Sequence, residues 1–206
     1  MEDKEIYSEL ASIRNLMERS AKFISLSGMS GIMAGIYALV GAAIGYYFVY
    51  GTSGGLGFRD YYINDDEVIL KLFITASTVL VLSIVTGVIL TLKKVKKKGE
   101  KIWNPSSKNL LINMSIPLIT GGILIIILLL RGYYGIVAPA CLVFYGLALV
   151  AGSHYTFTDV KWLGVYEIIL GLLAACLPGY GIVFWSIGFG VLHIVYGSIM
   201  HFRYDK

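Results

Sequence analysis

Two ionisable residues stand inside long apolar stretches of the chain, and they are where chemistry could begin. Glu167 lies in the stretch 160–177 and His193 in the stretch 180–201. Ionisable groups within a bilayer are costly and are functional candidates by default. A carboxyl and an imidazole together can hold or pass a proton. Only a proline and a glycine separate the two stretches, so we expect antiparallel neighbouring helices. At about 1.5 Å per residue, both residues lie about 9–12 Å from the same end, which predicts a contact between them.

Three further polar residues fall at or near this depth and extend the candidate site. They are Asn113, Tyr145 and Tyr196. With Glu167 and His193 they are candidates for a ligand or proton site in the inner half of a helical bundle. Two other interpretations stay open at this point: a structural hydrogen-bonded pair that fixes helix register, or side chains that face lipid.

The apolar stretches carry little that suggests catalysis. None contains the G-x-S-x-G turn that exposes a nucleophilic serine, or the H-E-x-x-H pair that binds zinc. A metal site would need a third ligand beside Glu167 and His193. We therefore expect no catalytic residue, no metal and no cofactor, and an enzyme is disfavoured.

Glycines recur at helical spacing around both ionisable residues. They flank Glu167 and His193 at intervals of three or four residues, and a third set repeats this spacing in the first apolar stretch. Small residues let helix backbones approach closely in a membrane, so we expect a glycine-flanked Glu167 to face a glycine-flanked His193. The helix-packing candidates are Gly28, Gly31, Gly35, Gly164, Gly171, Gly190 and Gly197.

The elements that must position these residues are membrane helices. Of 206 residues, 57% are hydrophobic and 15% are charged, whereas a soluble domain carries about 25% charged residues. This composition excludes a soluble enzyme, a disordered protein and a disulfide-stapled secreted domain. A membrane-spanning helix needs about 20 mostly apolar residues, and the sequence predicts an all-α fold with one domain, 23–201, of six transmembrane helices. The predicted spans are 23–49, 68–92, 109–130, 133–152, 160–177 and 180–201.

Basic residues predict the orientation of these spans. If the N-terminus is cytoplasmic, only Arg59, Lys71 and Arg131 of the 17 basic residues fall on the outer side. Lys and Arg concentrate in cytoplasmic loops, so we expect both termini inside, with 202–206 as a short cytoplasmic tail.

Residues 1–22 precede the first span and are expected to form a cytoplasmic amphipathic helix. Ile6, Leu10, Ile13 and Met17 are spaced as one helical face. This helix could lie against the inner membrane surface or continue into the first span. Alternatively, residues 3–22 could mediate self-association or bind a membrane protein partner. The mixed, slightly acidic charge mildly favours protein contact over lipid headgroups.

The inner loop 93–108 is rich in lysine. Its first function is to orient the neighbouring spans, and contact with anionic lipid or a phosphate-bearing ligand is the alternative. We expect no nucleic-acid binding. The candidate lipid ligands are Lys93, Lys94, Lys96, Lys97, Lys98 and Lys101.

The opening stretch SIRNLMERSAKFISLSGMSGIMAGIYAL, residues 12–39, resembles the start of small bacterial multi-pass membrane proteins whose function is not established. The resemblance covers about the first fifth of the chain and implies a bacterial inner membrane, but no activity and no site residues. Two functions are therefore predicted from the residues themselves. The first is a non-enzymatic membrane protein that binds partners or senses conditions. The alternative is a small transporter or channel with Glu167 and His193 as a protonatable site.

Overall fold

A computed structural model describes residues 27–51, 66–99 and 102–205 of the chain. Within these ranges the chain is helical and contains no strand, which confirms the all-α class. The predicted amphipathic helix at 1–22 lies outside the described residues. The helices are α1 (Gly28–Tyr50), α2 (Asp66–Lys98), α3 (Pro105–Leu130), α4 (Val137–Gly152), α5 (Thr158–Cys176) and α6 (Gly181–Tyr204).

Five of the described helices are long and apolar enough to cross a membrane. They are α1, α2, α3, α6, and α4 together with the short 3₁₀ turns at its two ends. The chain is thus a candidate multi-pass membrane protein. Helix α5 has 19 residues but carries Asp159, Lys161 and Glu167, so it does not belong to that group, and a sixth span remains a prediction.

Local sequence sets several helix ends. The Asn104 side chain accepts a hydrogen bond from the backbone N–H of Ser107, and the Ser107 hydroxyl accepts one from the backbone N–H of Asn104. This reciprocal capping box, with Pro105 in the first turn, fixes the start of α3. Between α5 and α6 the chain reverses at Gly179, whose φ of 92° favours a residue without a side chain.

The helices form a connected series in which α6 is central. Helix α1 packs against both α2 and α6, helix α4 packs against both α3 and α5, and α6 also contacts α4 and α5. Helix α2 lies at the edge, and its apolar side chains, such as Leu80 and Val81, are exposed as lipid-facing side chains would be.

Glycines allow two close helix contacts. Along the first, between α1 and α6, a Cβ on Gly197 would lie 2.5 Å from the backbone nitrogen of Ile32. Along the second, between α4 and α5, a Cβ on Gly164 would lie 2.7 Å from the carbonyl oxygen of Gly146. Because both neighbours are backbone atoms, neither contact admits a larger residue without moving a helix.

These contacts place the predicted glycines differently from the sequence expectation. The four glycines that flank Glu167 and His193 all pack on a neighbouring helix that does not carry the other of these two residues. Gly28, Gly31 and Gly35 of α1 face Gly190 or Gly197 of α6. The expected Glu167–His193 contact instead depends on another glycine, described below. Gly164 and Gly171 of α5 face α4, and Gly190 of α6 faces Leu39 of α1.

Candidate functional site

The candidate site lies where α4, α5 and α6 meet. Helix α5 contributes Glu167, which is 0% exposed, and α6 contributes His193, which is 7% exposed. Helix α4 contributes Tyr145. Toward the C-terminal end of α6, next to this site, lies an apolar cluster that includes Leu149 and Leu163. The three polar side chains are therefore held in packed surroundings. There the free-energy cost of burying each one depends on whether it forms hydrogen bonds.

The imidazole of His193 is engaged on both of its nitrogens. Its Nδ1 lies 3.0 Å from the carbonyl oxygen of Gly188. A carbonyl only accepts, so Nδ1 carries the hydrogen in this arrangement. Its Nε2 then accepts a hydrogen bond from the Tyr145 hydroxyl, 2.8 Å away. A neutral His193 is fully satisfied by these two bonds.

Glu167 is in the opposite situation. Its Oε1 lies 3.4 Å from Nδ1 of His193, but that nitrogen directs its hydrogen to Gly188. Among the described residues, neither carboxyl oxygen of Glu167 has a hydrogen-bond partner. An ionised carboxylate buried without a donor is strongly disfavoured. The carboxyl must therefore bind a proton itself or receive a charged donor, and His193 is the group close enough to provide one.

Gly188 makes this contact possible, and it was not identified from the sequence. A Cβ at this position would lie 2.5 Å from Oε2 of Glu167 and 2.5 Å from Cδ2 of Leu142. Gly188 belongs to Ser186–Leu192, where α6 adopts π-helical geometry between two α-helical segments. A π turn contains one extra residue, so the regular spacing of Gly190, His193 and Gly197 does not reveal which residues face α5. π turns of this kind are frequent at functional sites.

Aromatic rings surround the site and extend from it toward the N-terminal end of α6. The Phe189 ring lies 5.1 Å from Tyr145 and 5.9 Å from His193, measured between ring centroids. Trp185 lies 5.3 Å beyond Phe189. The imidazole is thus connected by ring contacts to the first turns of α6.

The structure brings together three of the five predicted site residues, Glu167, His193 and Tyr145. The Asn113 side chain donates to the carbonyl oxygen of Asn109 in its own helix, and the described contacts of the site do not include it. Tyr196 lies about one turn further toward the C-terminal end of α6. Its ring is 6.4 Å from that of Tyr166, and it packs against the apolar cluster.

The lysines of loop 93–108 have different surroundings in the structure. Lys94 points inward and forms a salt bridge with Asp205 at the end of α6, with its ammonium 5.8 Å from the ring of Phe157. The side chains of Lys93, Lys96 and Lys97 are exposed. The side chains of Lys98 and Lys101 lie outside the described part of the chain.

Asp205 is a second acid held at a helix contact, and the sequence analysis did not identify it. Its Oδ2 accepts a hydrogen bond of 2.9 Å from the backbone N–H of Gly28 and lies 3.1 Å from Nδ1 of His201. We call Asp205, Lys94, Gly28 and His201 the latch, because they join the ends of α1, α2 and α6. Burial alone would raise the pKa of Asp205, but hydrogen bonds from Lys94, His201 and Gly28 outweigh it and hold that pKa below its usual range.

The described residues contain no group of three or more His, Cys, Asp or Glu side chains that could hold a metal ion. Comparison of the chain with protein-family profiles, with curated proteins and with solved structures gave no match. The functional argument therefore rests on the site itself.

Proposed function

We propose that this protein is a non-enzymatic, multi-pass membrane protein that senses its environment through proton binding at Glu167 and His193. The observation that carries the proposal is the Glu167 carboxyl: it is fully buried, has no hydrogen-bond partner among the described residues, and lies 3.4 Å from an imidazole nitrogen. One added proton converts an unfavourable buried charge into a neutral group or an ion pair.

The alternative, a purely structural pair, is less well supported by this geometry. A structural hydrogen bond would satisfy both partners, as most buried polar groups are satisfied. Here His193 is satisfied by Tyr145 and Gly188, while Glu167 is not. A buried polar group that lacks a partner requires an explanation, such as a functional role or a bound water or ion.

The proposal is tested by the pH dependence of unfolding in detergent, measured for the wild type, Glu167→Gln, His193→Ala and the double variant. Between about pH 5 and about pH 8, where histidine pairs change charge, wild-type stability should change with pH and E167Q should lose that change. The two substitutions should also be non-additive, because the residues are in contact.

Asn113→Ala is the matched control. It removes a polar side chain from a span, but one that bonds within its own helix. It should keep the wild-type pH dependence and add independently to E167Q. Additive effects of E167Q and H193A, together with a flat wild-type pH profile, would refute a shared proton.

A second candidate function is a small proton-coupled transporter or channel that uses the same residues. It is favoured by the π turn of α6 beside Glu167, since transporters place interrupted helices at their ion sites. Protein reconstituted in liposomes should then show a pH-dependent flux that E167Q abolishes. Absence of flux for protons, simple ions and common metabolites would eliminate this candidate and leave sensing.

We further propose a bacterial cytoplasmic membrane with both termini inside, on the distribution of basic residues and the resemblance of residues 12–39 to bacterial membrane proteins. Residues 3–22 would then present a cytoplasmic surface for self-association or a membrane partner. Deleting residues 1–20 should abolish oligomers or a co-purifying partner without unfolding the spans. Exposed lysines of loop 93–108, such as Lys93 and Lys96, would contact anionic lipid.

A further inference from the structure

A single proton can be placed in two ways between Glu167 and His193. It gives either a neutral carboxyl beside a neutral imidazole or a carboxylate beside an imidazolium, and both arrangements contain the same atoms. A buried ion pair offsets the lost hydration of its two charges only if its geometry is excellent and its remaining lone pairs are hydrogen-bonded. The contacts of the two side chains therefore decide between the two arrangements.

The contact between the two side chains lacks the geometry of an ion pair. A charge-assisted bond from an N–H to a carboxylate spans about 2.7–2.9 Å, whereas Nδ1 of His193 lies 3.4 Å from Oε1 of Glu167. The same nitrogen lies closer, at 3.0 Å, to the carbonyl oxygen of Gly188. Among the described residues, neither carboxyl oxygen has a hydrogen-bond donor, so an ionised Glu167 would keep its lone pairs unbonded.

The helices around Glu167 also offer little that would hold its carboxyl ionised. Helix α6 presents His193, and helix α4 presents Tyr145, whose hydroxyl is neutral and donates to Nε2 of the imidazole. Within the described ranges, His193 is the one basic side chain within salt-bridge distance of Glu167. Both residues are buried, and burial disfavours the charged form of each. The neutral arrangement is therefore the better supported one.

We propose that the proton resides on the carboxyl of Glu167, and that His193 stays neutral as a positioning residue whose Nδ1–H becomes the donor for Glu167 once that proton leaves. This inference rests on the proposed function, because it assigns the proton to one of the two residues that bind it. When Glu167 releases its proton to water, the Nδ1–H bond moves from the Gly188 carbonyl to Oε1. Tyr145 continues to donate to Nε2, so the imidazole keeps both its charge and its tautomer.

The bond to Gly188 can be given up at little cost. Gly188 lies in the π turn Ser186–Leu192, whose backbone pairing gives its carbonyl a partner besides Nδ1 of His193. A carbonyl oxygen has two lone pairs and can accept both bonds, so it keeps a partner when the imidazole donates elsewhere. A carboxylate also accepts a stronger hydrogen bond than a carbonyl does. The change of acceptor therefore needs no change in the fold of α6.

Two substitutions at His193 distinguish a neutral donor from a cation. His193→Asn places an amide near the position of Nδ1 and keeps an uncharged donor for Glu167. His193→Gln places its amide near the position of Nε2, beside Tyr145, and leaves no donor near the position of Nδ1. Neither amide can take up a proton, so an ion pair with Glu167 is impossible in both variants.

Infrared difference spectra between about pH 5 and about pH 10 detect the C=O band of a protonated Glu167, which E167Q identifies by its loss. The wild type and H193N should both show this band at acid pH and lose it at alkaline pH. H193Q, which has no donor for the carboxylate, should bind the proton about tenfold more tightly. An ion pair predicts no carboxyl band in the wild type and a new one in H193N, and this result would overturn the assignment. Equal proton affinities in H193N and H193Q would refute the role of the Nδ1 donor.

A measurement on the unsubstituted protein keeps the inference testable even if a variant does not fold. The ¹⁵N chemical shifts of His193 distinguish a neutral ring with hydrogen on Nδ1 from an imidazolium. The expected result is the neutral Nδ1–H form at every pH at which the Glu167 carboxyl changes. An imidazolium that appears beside an ionised Glu167 would refute the assignment and leave the proposed proton sensing in place. If neither residue titrates in this range, the proposed function fails together with the inference.

Discussion

Asp205, whose side chain is 9% exposed, and Glu167, which is fully buried, are both acids at contacts between helices, but their surroundings are opposite. Asp205 receives donors from three helices: Lys94 from α2, the Gly28 N–H from α1, and His201 from α6. Glu167 has no hydrogen-bond partner among the described residues, and its nearest donor nitrogen is bonded to a carbonyl. The first acid is stabilised in its charged form, whereas the second is not.

This difference separates a structural role from a functional one. A satisfied buried acid stabilises the contact that it joins and loses free energy when it is changed. An unsatisfied buried acid contributes little to stability in its charged form and changes state readily when a proton arrives. Because the two acids share one protein and both contact α6, each serves as the reference for the other.

The largest effect is expected from Asp205→Ala. It removes the acceptor for the Gly28 N–H and the carboxylate that forms a salt bridge with Lys94, in a pair whose side chains are only 12% and 9% exposed. Breaking a buried pair of this kind costs about 3 kcal/mol, measured as a loss in the free energy of unfolding in detergent. Lys94→Met in the same protein should recover part of the loss. A loss below about 1 kcal/mol would mean that the latch does not hold the helices together.

The latch should also give the protein a defined acid sensitivity. The pKa of Asp205 is lower in the folded protein than its ordinary value of 3.8. Its contribution to stability is therefore complete above that value and is lost as pH falls through the folded-state pKa. Unfolding measured between about pH 5 and about pH 2 should show a smaller loss in Asp205→Asn than in the wild type. Equal acid sensitivity of the two proteins would contradict a charged Asp205 in the latch.

Glu167→Gln should change the free energy of unfolding at neutral pH in the opposite direction to Asp205→Ala. It removes a buried charge for which the described residues offer no hydrogen-bond donor, and an unpaired buried charge is costly to the folded state. We expect a gain of up to about 1 kcal/mol in the free energy of unfolding at about pH 8. The matched comparison is Asp205→Asn, which should be destabilising under the same conditions. A loss for E167Q as large as that for D205N would erase the distinction between the two acids.

The smallest effect is expected from Arg203→Ala, close to the latch in sequence. Arg203 donates to Asp159 at 3.3 Å, but its side chain is 63% exposed. Exposed ion pairs contribute about 0–1 kcal/mol, and salt should remove most of that. The free energy of unfolding of R203A, measured at low and high salt, checks this expectation. A loss as large as that for D205A would mean that the latch also includes the contact with α5.

Much of the fold was predictable because hydropathy directly reflects lipid contact. The predicted span 109–130 corresponds to α3 (Pro105–Leu130), and 180–201 corresponds to α6 (Gly181–Tyr204). The proximity of Glu167 and His193 was also predictable. When a tight turn joins two helices, residues at the same depth on the two helices lie side by side. The sequence could not locate Gly188, because one extra residue in a π turn changes which side chains face a neighbouring helix.

The remaining differences at the site have related causes. Asn113 was predicted from depth alone, and depth does not tell whether an amide bonds to its own helix, as this one does. Lys94 was grouped with the other lysines of its loop, because a run of like residues gives no indication that one of them faces inward. Asp205 follows the last span by a few residues and looks like an ordinary polar terminus.

The sequence by itself predicted a membrane environment, the helical class and the two ionisable residues worth attention, because those properties depend on composition and on position along a helix. Only the tertiary structure decided which buried acid is satisfied. That property depends on where donors from other helices point, and rotation of a helix by a single residue is enough to change it. The contrast between Asp205 with its donors and Glu167 without them is therefore a property of helix packing.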